Sequence, residues 1–331
     1  MFDPPREIRS ALVLGGCGFL GQWLISRLTA RGIGVSSVDR DPRGRLAGMG
    51  VTSIQMTTLN SALELTALMG AGDFDVVFSL VGTGLVPRSV AAPLDDLANN
   101  VGSLVVLLDV VRRMDPPPLV VSVSSAAVYG SARSVPMTEQ HPRRPESPYG
   151  VSKAAGEDYL DLYHRAYGVP ALCVRPFSIY GPGQRKLVIY DLLERLRGSE
   201  DPLVVQASEH ITRDFVYVED VAETIVRLAE RAPARGEAYN ACSEQETSLR
   251  GLVELLVGLV APDTRVSFTG ATRPGDPTRW VGSRRLTSST TGLTPTVLTD
   301  GVDRTWRWLD ESARRADVGT APGRRHRQDG R

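Results

Sequence analysis

Ser10-Ala-Leu-Val-Leu-Gly15-Gly-Cys-Gly18-Phe-Leu-Gly21 decides the fold of this chain. A short apolar run meets a glycine cluster. Apolar residues then recur at Leu20, Trp23, Leu24 and Leu28, the spacing of one helical face. Strand, glycine turn and helix follow one another. Gly15, Gly18 and Gly21 let the turn close and let backbone N–H groups approach a pyrophosphate, to which the helix N-terminus adds its positive end. Glycine clusters also serve ordinary tight turns, so a second signal is needed. Asp39, 18 residues beyond Gly21, supplies it. A carboxylate near that spacing accepts from the adenosine ribose hydroxyls and repels a 2′-phosphate, favouring NAD over NADP. Arg40, Arg43 and Arg45 crowd the same loop and could meet a phosphate. Asp39 could also be a plain turn residue of Asp39-Arg-Asp-Pro42.

Working outward, strands are expected at 33–38, 51–56, 75–81, 119–124 and 171–174, and helices at 59–69, 95–114 and 148–167. Strands alternating with helices predict an α/β fold, a doubly wound parallel sheet of the Rossmann kind. Past Pro176 the pattern loosens, with glycine and proline clusters at 180–184, 198–202 and 270–277. A smaller C-terminal substrate-binding lobe is expected there. Residues 214–229 regain a strand-then-helix pattern and are expected to return to the first lobe. The division is therefore 1–176 with 213–242 for the dinucleotide lobe and 177–212 with 243–311 for the smaller one. Residues 312–331, rich in Arg, Gly and Asp, are expected to be a disordered tail.

The formal net charge of the 331 residues is +0, which argues against nucleic acid as the main partner. No run of about 18 apolar residues predicts a membrane span, and the polar stretch 1–9 lacks the apolar core of a secretory signal. Cys17, Cys173 and Cys242 lie far apart and suit buried thiols in a reducing compartment. A cytoplasmic enzyme without a metal is expected.

Tyr149-Gly-Val-Ser-Lys153 opens a helix after Ser147-Pro148. Residues four apart share a helical face, so phenol and ammonium face one site. A phenol titrates near ~10. A neighbouring cation lowers that value, and the group can then exchange a proton with a substrate hydroxyl. All but two of the 38 Lys and Arg residues are arginine; the exceptions are Lys153 and Lys186. Arginine is a poor substitute for a compact ammonium, so lysine at 153 is informative. Ser124 and Ser125 end the preceding strand, on the side where open α/β sheets bind ligands. Ser125 is expected to share a proton with substrate and Tyr149. Ser124 could do so too, or both could satisfy loop backbone.

Six segments, LVLGGCGFLG, VSSAAVYG, SPYGVSKAAGE, VRPFSIYGPGQR, TRDFVYVEDVA and ATRPGDP, occur in this order across about residues 10–310. Together they resemble the NAD-dependent epimerase/dehydratase family of nucleotide sugars, which are extended short-chain dehydrogenases/reductases. The resemblance implies Ser125, Tyr149 and Lys153 as catalytic residues. It implies NAD held by Gly15, Gly18, Phe19, Leu20, Gly21, Asp39 and Arg40, then by Leu80, Val81, Gly82 and Asn100, and finally by Tyr149, Lys153 and Pro176. A nucleotide-sugar substrate would meet Ser125, Ser178, Arg185, Arg213 and Arg273. Arg213 and Arg273 would take the diphosphate. Tyr180 and Pro176 would pack on nicotinamide, or simply form a Tyr-Gly-Pro-Gly turn. A homodimer built from the 95–114 and 148–167 helices is implied as well.

Three departures refine the reading. Thr58 stands where the family places an aspartate near adenine, and Ser178 where it often has asparagine. Ala126 and Ala127 stand where the sugar dehydratases of the family carry an Asp-Glu pair. Two alanines move no protons, which points to oxidation and re-reduction at C4. The expectation is a 4-epimerase of a UDP-sugar, UDP-glucuronate included, because a guanidinium at Arg185 can hold a carboxylate. Against this, Arg185 and Lys186 could bind diphosphate or face water. A 4-keto-sugar reductase, a dehydratase or decarboxylase, and an inactive binding subunit are the alternatives.

Overall fold

The computed structural model describes residues 5–40, 46–56, 61–82, 84–271 and 277–319. β1 (Ser10–Leu14), α1 (Phe19–Thr29) and β2 (Gly34–Asp39) follow the expected order, then β3 (Thr52–Gln55), α2 (Ala62–Ala71) and β4 (Val76–Ser79). The helix expected at 95–114 is interrupted. α3 (Val86–Ala91) and α4 (Pro93–Leu97) lead into a π-helical turn over Ala98–Gly102, and α5 (Ser103–Val111) completes the run. β5 (Leu119–Val123), α6 (Pro148–Tyr167) and β6 (Ala171–Pro176) finish the first stretch.

The remaining elements are β7 (Ser178–Tyr180), α7 (Leu187–Arg197), β8 (Leu203–Val205), β9 (Thr212–Tyr217), α8 (Val218–Arg231) and β10 (Arg235–Ala241). They are followed by β11 (Glu246–Ser248), α9 (Leu249–Val260), β12 (Val266–Phe268), α10 (Arg285–Thr291) and α11 (Leu298–Gly319).

Seven parallel strands form the main sheet in the order β10-β6-β5-β4-β1-β2-β3. Both faces of its centre are covered, which is why β1, β4 and β5 read as nearly continuous apolar runs. In β1, Ala11 and Val13 face the core shared with α1 and α8, while Leu12 and Leu14 face the core shared with α2, α5 and α6. Chain order reverses between β1 and β4, leaving a crevice at the carboxyl ends of the strands.

The smaller lobe holds the three-stranded sheet β11-β9-β7 and the pair β12-β8, with a core of its own from α7, α9 and α11. One expectation needs correcting here. β9 does not return to the main sheet; it pairs with β7, Ser178 opposite Phe215. The place beside β6 is taken by β10, with Ala238 opposite Cys173. Of the 214–229 stretch only α8 joins the large lobe, through Val221, Ile225 and Leu228. A strand's period reveals its two faces but not its sheet. Residues 312–319, expected to belong to a disordered tail, instead continue α11 to Gly319, and residues 320–331 lie outside the described residues.

Candidate active site

The glycine loop leaves the first turn of α1 open. Its N-cap is Gly18, and no side chain caps the helix. Gly15 has φ +87, and a Cβ on Gly21 would lie 2.6 Å from the carbonyl oxygens of Gly15 and Gly16, so the turn admits no side chain there. Phe19 and Leu20 begin the helix. Asp39 ends β2 half-buried, accepting hydrogen bonds from the N–H of Cys17 (3.1 Å) and of Arg40 (2.7 Å). It therefore clamps the glycine loop, a role neither sequence reading included.

Leu80 and Val81 follow β4, and the Leu80 N–H bonds Leu14 across the switch point at 2.9 Å. At Gly82, φ is +130, and a Cβ would collide with Asn100 Oδ1. Asn100 projects from the π-helical turn, a backbone irregularity frequent at functional sites. Its Nδ2 donates to Asp96 Oδ1 at 2.9 Å, while its buried Oδ1 has no hydrogen-bond partner among the described residues. Pro176 closes β6 beside Ala241. Uncapped donors, a cradle without Cβ atoms and an unpaired buried acceptor fit a dinucleotide lying across the crevice. Arg43, Arg45, Thr58 and Arg273 lie outside the described residues.

Tyr149 and Lys153 sit in the first turns of α6. Ser147 caps the helix by accepting from the Gly150 N–H at 3.2 Å, and Pro148 suits a first-turn position. The phenol of Tyr149 is buried, and the Ser125 hydroxyl lies close enough to favour its ionisation. Lys153 Nζ lies 5.9 Å from the Tyr149 ring centre and donates to the Val123 carbonyl at 2.9 Å and to that of Val81 at 3.5 Å. The three residues expected to be catalytic therefore converge. The expectation that Lys153 lowers the Tyr149 pKa is not met in the protein alone. Burial pushes the phenol up, the Ser125 hydroxyl opposes this, and the Asp96 carboxylate adds to it. Burial also pushes Lys153 down to about 8, against the raising effects of Asp96 and Glu157.

The structure separates the two serines. Ser125 Oγ accepts from the Ala127 N–H at 3.1 Å and touches Tyr149. Ser124 points the other way and donates to buried Glu157 at 2.5 Å. Glu157 is held by Arg175 through bonds of 2.9 and 2.7 Å, and Arg175 Nη1 donates to the Tyr129 hydroxyl at 2.8 Å. Sequence reasoning missed this network, although Glu157 repeats the four-residue step from Tyr149 to Lys153. It also missed Ser89, whose Oγ accepts the Tyr149 N–H at 3.1 Å.

The expected substrate residues fare less evenly. Ser178 is half-buried on β7, and Arg213 lies on β9 with its guanidinium over Trp280, 5.7 Å from the ring centre. Arg185 is exposed and rests over Trp308 of α11 at 5.9 Å. Tyr180 does not face the cofactor crevice. It is fully buried in the smaller lobe's core, edge-on to Phe215 and Tyr217. The alternation of β7 sends it there, so the turn reading of its motif holds.

Fold and site together define a dinucleotide-dependent short-chain dehydrogenase/reductase of the extended type. The chain belongs to the NAD dependent epimerase/dehydratase family, whose pattern matches residues 11–242. It is 32% identical over 263 residues to a UDP-glucose 4-epimerase of Mycolicibacterium smegmatis, covering 76% of this chain and 83% of that one. It is 28% identical over 326 residues to UDP-glucuronate 4-epimerase 6 of Arabidopsis thaliana, covering 90% and 71%. Among solved structures, MoeE5 in complex with UDP-glucose and NAD superposes with a TM-score of 0.81 at 30% identity, over 92% of this chain and 99% of that one. Among the described residues no helix is long and apolar enough to cross a membrane.

Proposed function

We propose that the chain is an NAD-dependent nucleotide-sugar 4-epimerase that acts on a UDP-sugar, with the larger lobe holding NAD and the smaller one the sugar nucleotide. One observation carries this reading. The Ser125–Tyr149 contact with Lys153 beneath it is followed directly by Ala126 and Ala127, both buried and without a titratable group.

The site can therefore move a proton at one substrate oxygen only. Tyr149 takes the proton of the C4 hydroxyl as C4 is oxidised, and returns it when C4 is reduced on its other face. Ser125 holds the same oxygen, and Lys153 keeps positive charge near the phenol. The bound dinucleotide supplies a hydride acceptor that is regenerated within one turnover. Arg213 is placed to meet the diphosphate, and Arg185 is the residue to test for a uronate carboxylate.

Incubation with a panel of UDP-sugars without added reductant tests the reading. Mass-neutral conversion at C4 is expected. With a UDP-4-keto sugar added to the panel, a product heavier by two hydrogens that forms only with NADH, and no conversion of the other UDP-sugars, would identify a 4-ketoreductase instead. Comparing kcat/KM for UDP-glucuronate and UDP-glucose in wild type and Arg185→Ala decides the sugar. A uronate site predicts that the substitution harms UDP-glucuronate selectively.

Leu94 and Leu97 on α4 and Leu162 on α6 are exposed on helices that pack together, with Leu94 80% exposed. An apolar face of this kind supports a homodimer joined through these helices. Three buried free cysteines support a reducing, cytoplasmic setting.

A further inference from the structure

Trp280 stands between two parts of the site that no other side chain described above joins. Its segment is pinned to both lobes. On one side the Trp280 N–H bonds the Thr212 carbonyl of β9 at 3.2 Å, and the Gly282 N–H bonds buried Asp214 at 3.1 Å. On the other side the Met137 N–H bonds the Val281 carbonyl and the Ser283 N–H bonds the Met137 carbonyl, each at 2.8 Å.

The indole so placed makes two contacts of different kinds. Its face lies under the Arg213 guanidinium at 5.7 Å. Its Nε1–H donates to the Gly130 carbonyl at 2.8 Å. Gly130 ends the turn that Ser125 begins. The Ser125 hydroxyl caps the short 3-10 helix Ala126–Val128, and the Gly130 N–H bonds Ala127 at 3.3 Å. Gly130 has φ +63, and a Cβ there would collide with the Arg144 carbonyl, so the turn requires glycine and packs closely on its neighbour. Phe177 packs edge-on to the indole at 6.4 Å and limits its tilt.

We propose that Trp280 is a positioning residue that sets Arg213 for the substrate's diphosphate and, through Gly130, sets Ser125 for the sugar oxygen. This rests on the nucleotide-sugar reading. The ring face acts on binding and the N–H acts on the chemical step, so two substitutions separate them. Trp280→Phe keeps an aromatic face and loses the N–H. Trp280→Leu loses both.

The experiment measures kcat with the sugar nucleotide, UDP affinity by calorimetry, NAD affinity and Tm, all on the full-length NAD-loaded protein. Trp280→Phe is expected to lower kcat about 2- to 10-fold, the worth of one hydrogen bond, with UDP affinity kept. Trp280→Leu is expected to lower kcat likewise and to weaken UDP about 2- to 5-fold, the worth of one cation–π contact. NAD affinity should stay unchanged in both. A Trp280→Phe protein with wild-type kcat, or a Trp280→Leu protein with wild-type UDP affinity, overturns the proposal. So does a parallel loss of UDP affinity, NAD affinity and Tm, which marks a residue that only holds the fold. If Trp280→Leu does not fold, the Phe variant alone decides through kcat. A wild-type protein that binds NAD but no UDP takes down the nucleotide-sugar reading and this proposal with it, a result distinct from any split between the variants.

Discussion

Burial drives Tyr149 and Lys153 towards their neutral forms in the protein alone, which opposes the ionised pair that the proposed chemistry uses. Tyr149→Phe removes the proton carrier and leaves the rest of the cradle. Turnover should fall by at least ~10²-fold with NAD binding largely intact; near-normal kcat would end the proposed chemistry. Lys153 has a folded-state pKa of about 8, below its ordinary 10.5. The ammonium is therefore present below about pH 8 and lost as pH rises through it. NAD affinity should decline on the alkaline side with a midpoint near pH 8. In Lys153→Met it should be weaker and flat with pH. Asp39 gives a third test at this scale. Titration should show NAD bound more tightly than NADP, because a 2′-phosphate would meet a carboxylate. Since that carboxylate also bonds the Cys17 N–H, Asp39→Ala should weaken both cofactors and narrow the preference between them.

α6 is the element on which catalysis depends, and both its ends were legible in the sequence. Ser147-Pro148 gives the cap and first turn, and Gly168, with φ 70, gives the left-handed stop. Its inner face steps from Tyr149 through Lys153 to Glu157. The last of these pairs with Arg175 out of water, and removing one member of a buried pair strands the other. Glu157→Gln should cost about 3–5 kcal/mol in urea unfolding; a loss under 1 kcal/mol would show that the pair is not structurally required. The 95–114 stretch was less legible. A π-helical turn has no residue signature, so a continuous apolar period concealed the break at which Asn100 projects. The partners of Ser124 and Ser125 were equally hidden. Two adjacent serines at a strand end look alike in sequence and are told apart only by which way the chain turns after them.

Across the whole molecule, the large lobe was readable because a sheet covered on both faces writes its central strands as apolar runs. The smaller lobe was not. β7, β8, β11 and β12 are three residues each, too short to carry a period, and β9 resembles a main-sheet strand until its partner is seen. Tyr180 and Arg185 were placed by resemblance, and their surroundings depend on α11, which reaches them from over a hundred residues later. The exposed leucines make a prediction for the assembly. If α4 and α6 join two copies, Leu94→Glu with Leu162→Glu should halve the mass found by light scattering and leave the fold's circular dichroism unchanged. A wild-type protein that already elutes as a monomer would refute the dimer.

The near-absence of lysine makes the chain unusually selective towards amine chemistry. Lys153 is partly enclosed by the backbone carbonyls of Val81 and Val123. Lys186 is solvent-accessible at the start of α7, and partial desolvation of its amine, with the charge of Arg88, shifts it towards the free amine. Near neutral pH, an acylating dye or an activated resin should therefore couple to Lys186 and the N-terminal amine. A fluorophore at Lys186 would sit on the loop that Trp23 ties to α1 through the Pro182 carbonyl at 3.0 Å. Its emission could then follow ligand entry without altering the residues assigned to catalysis.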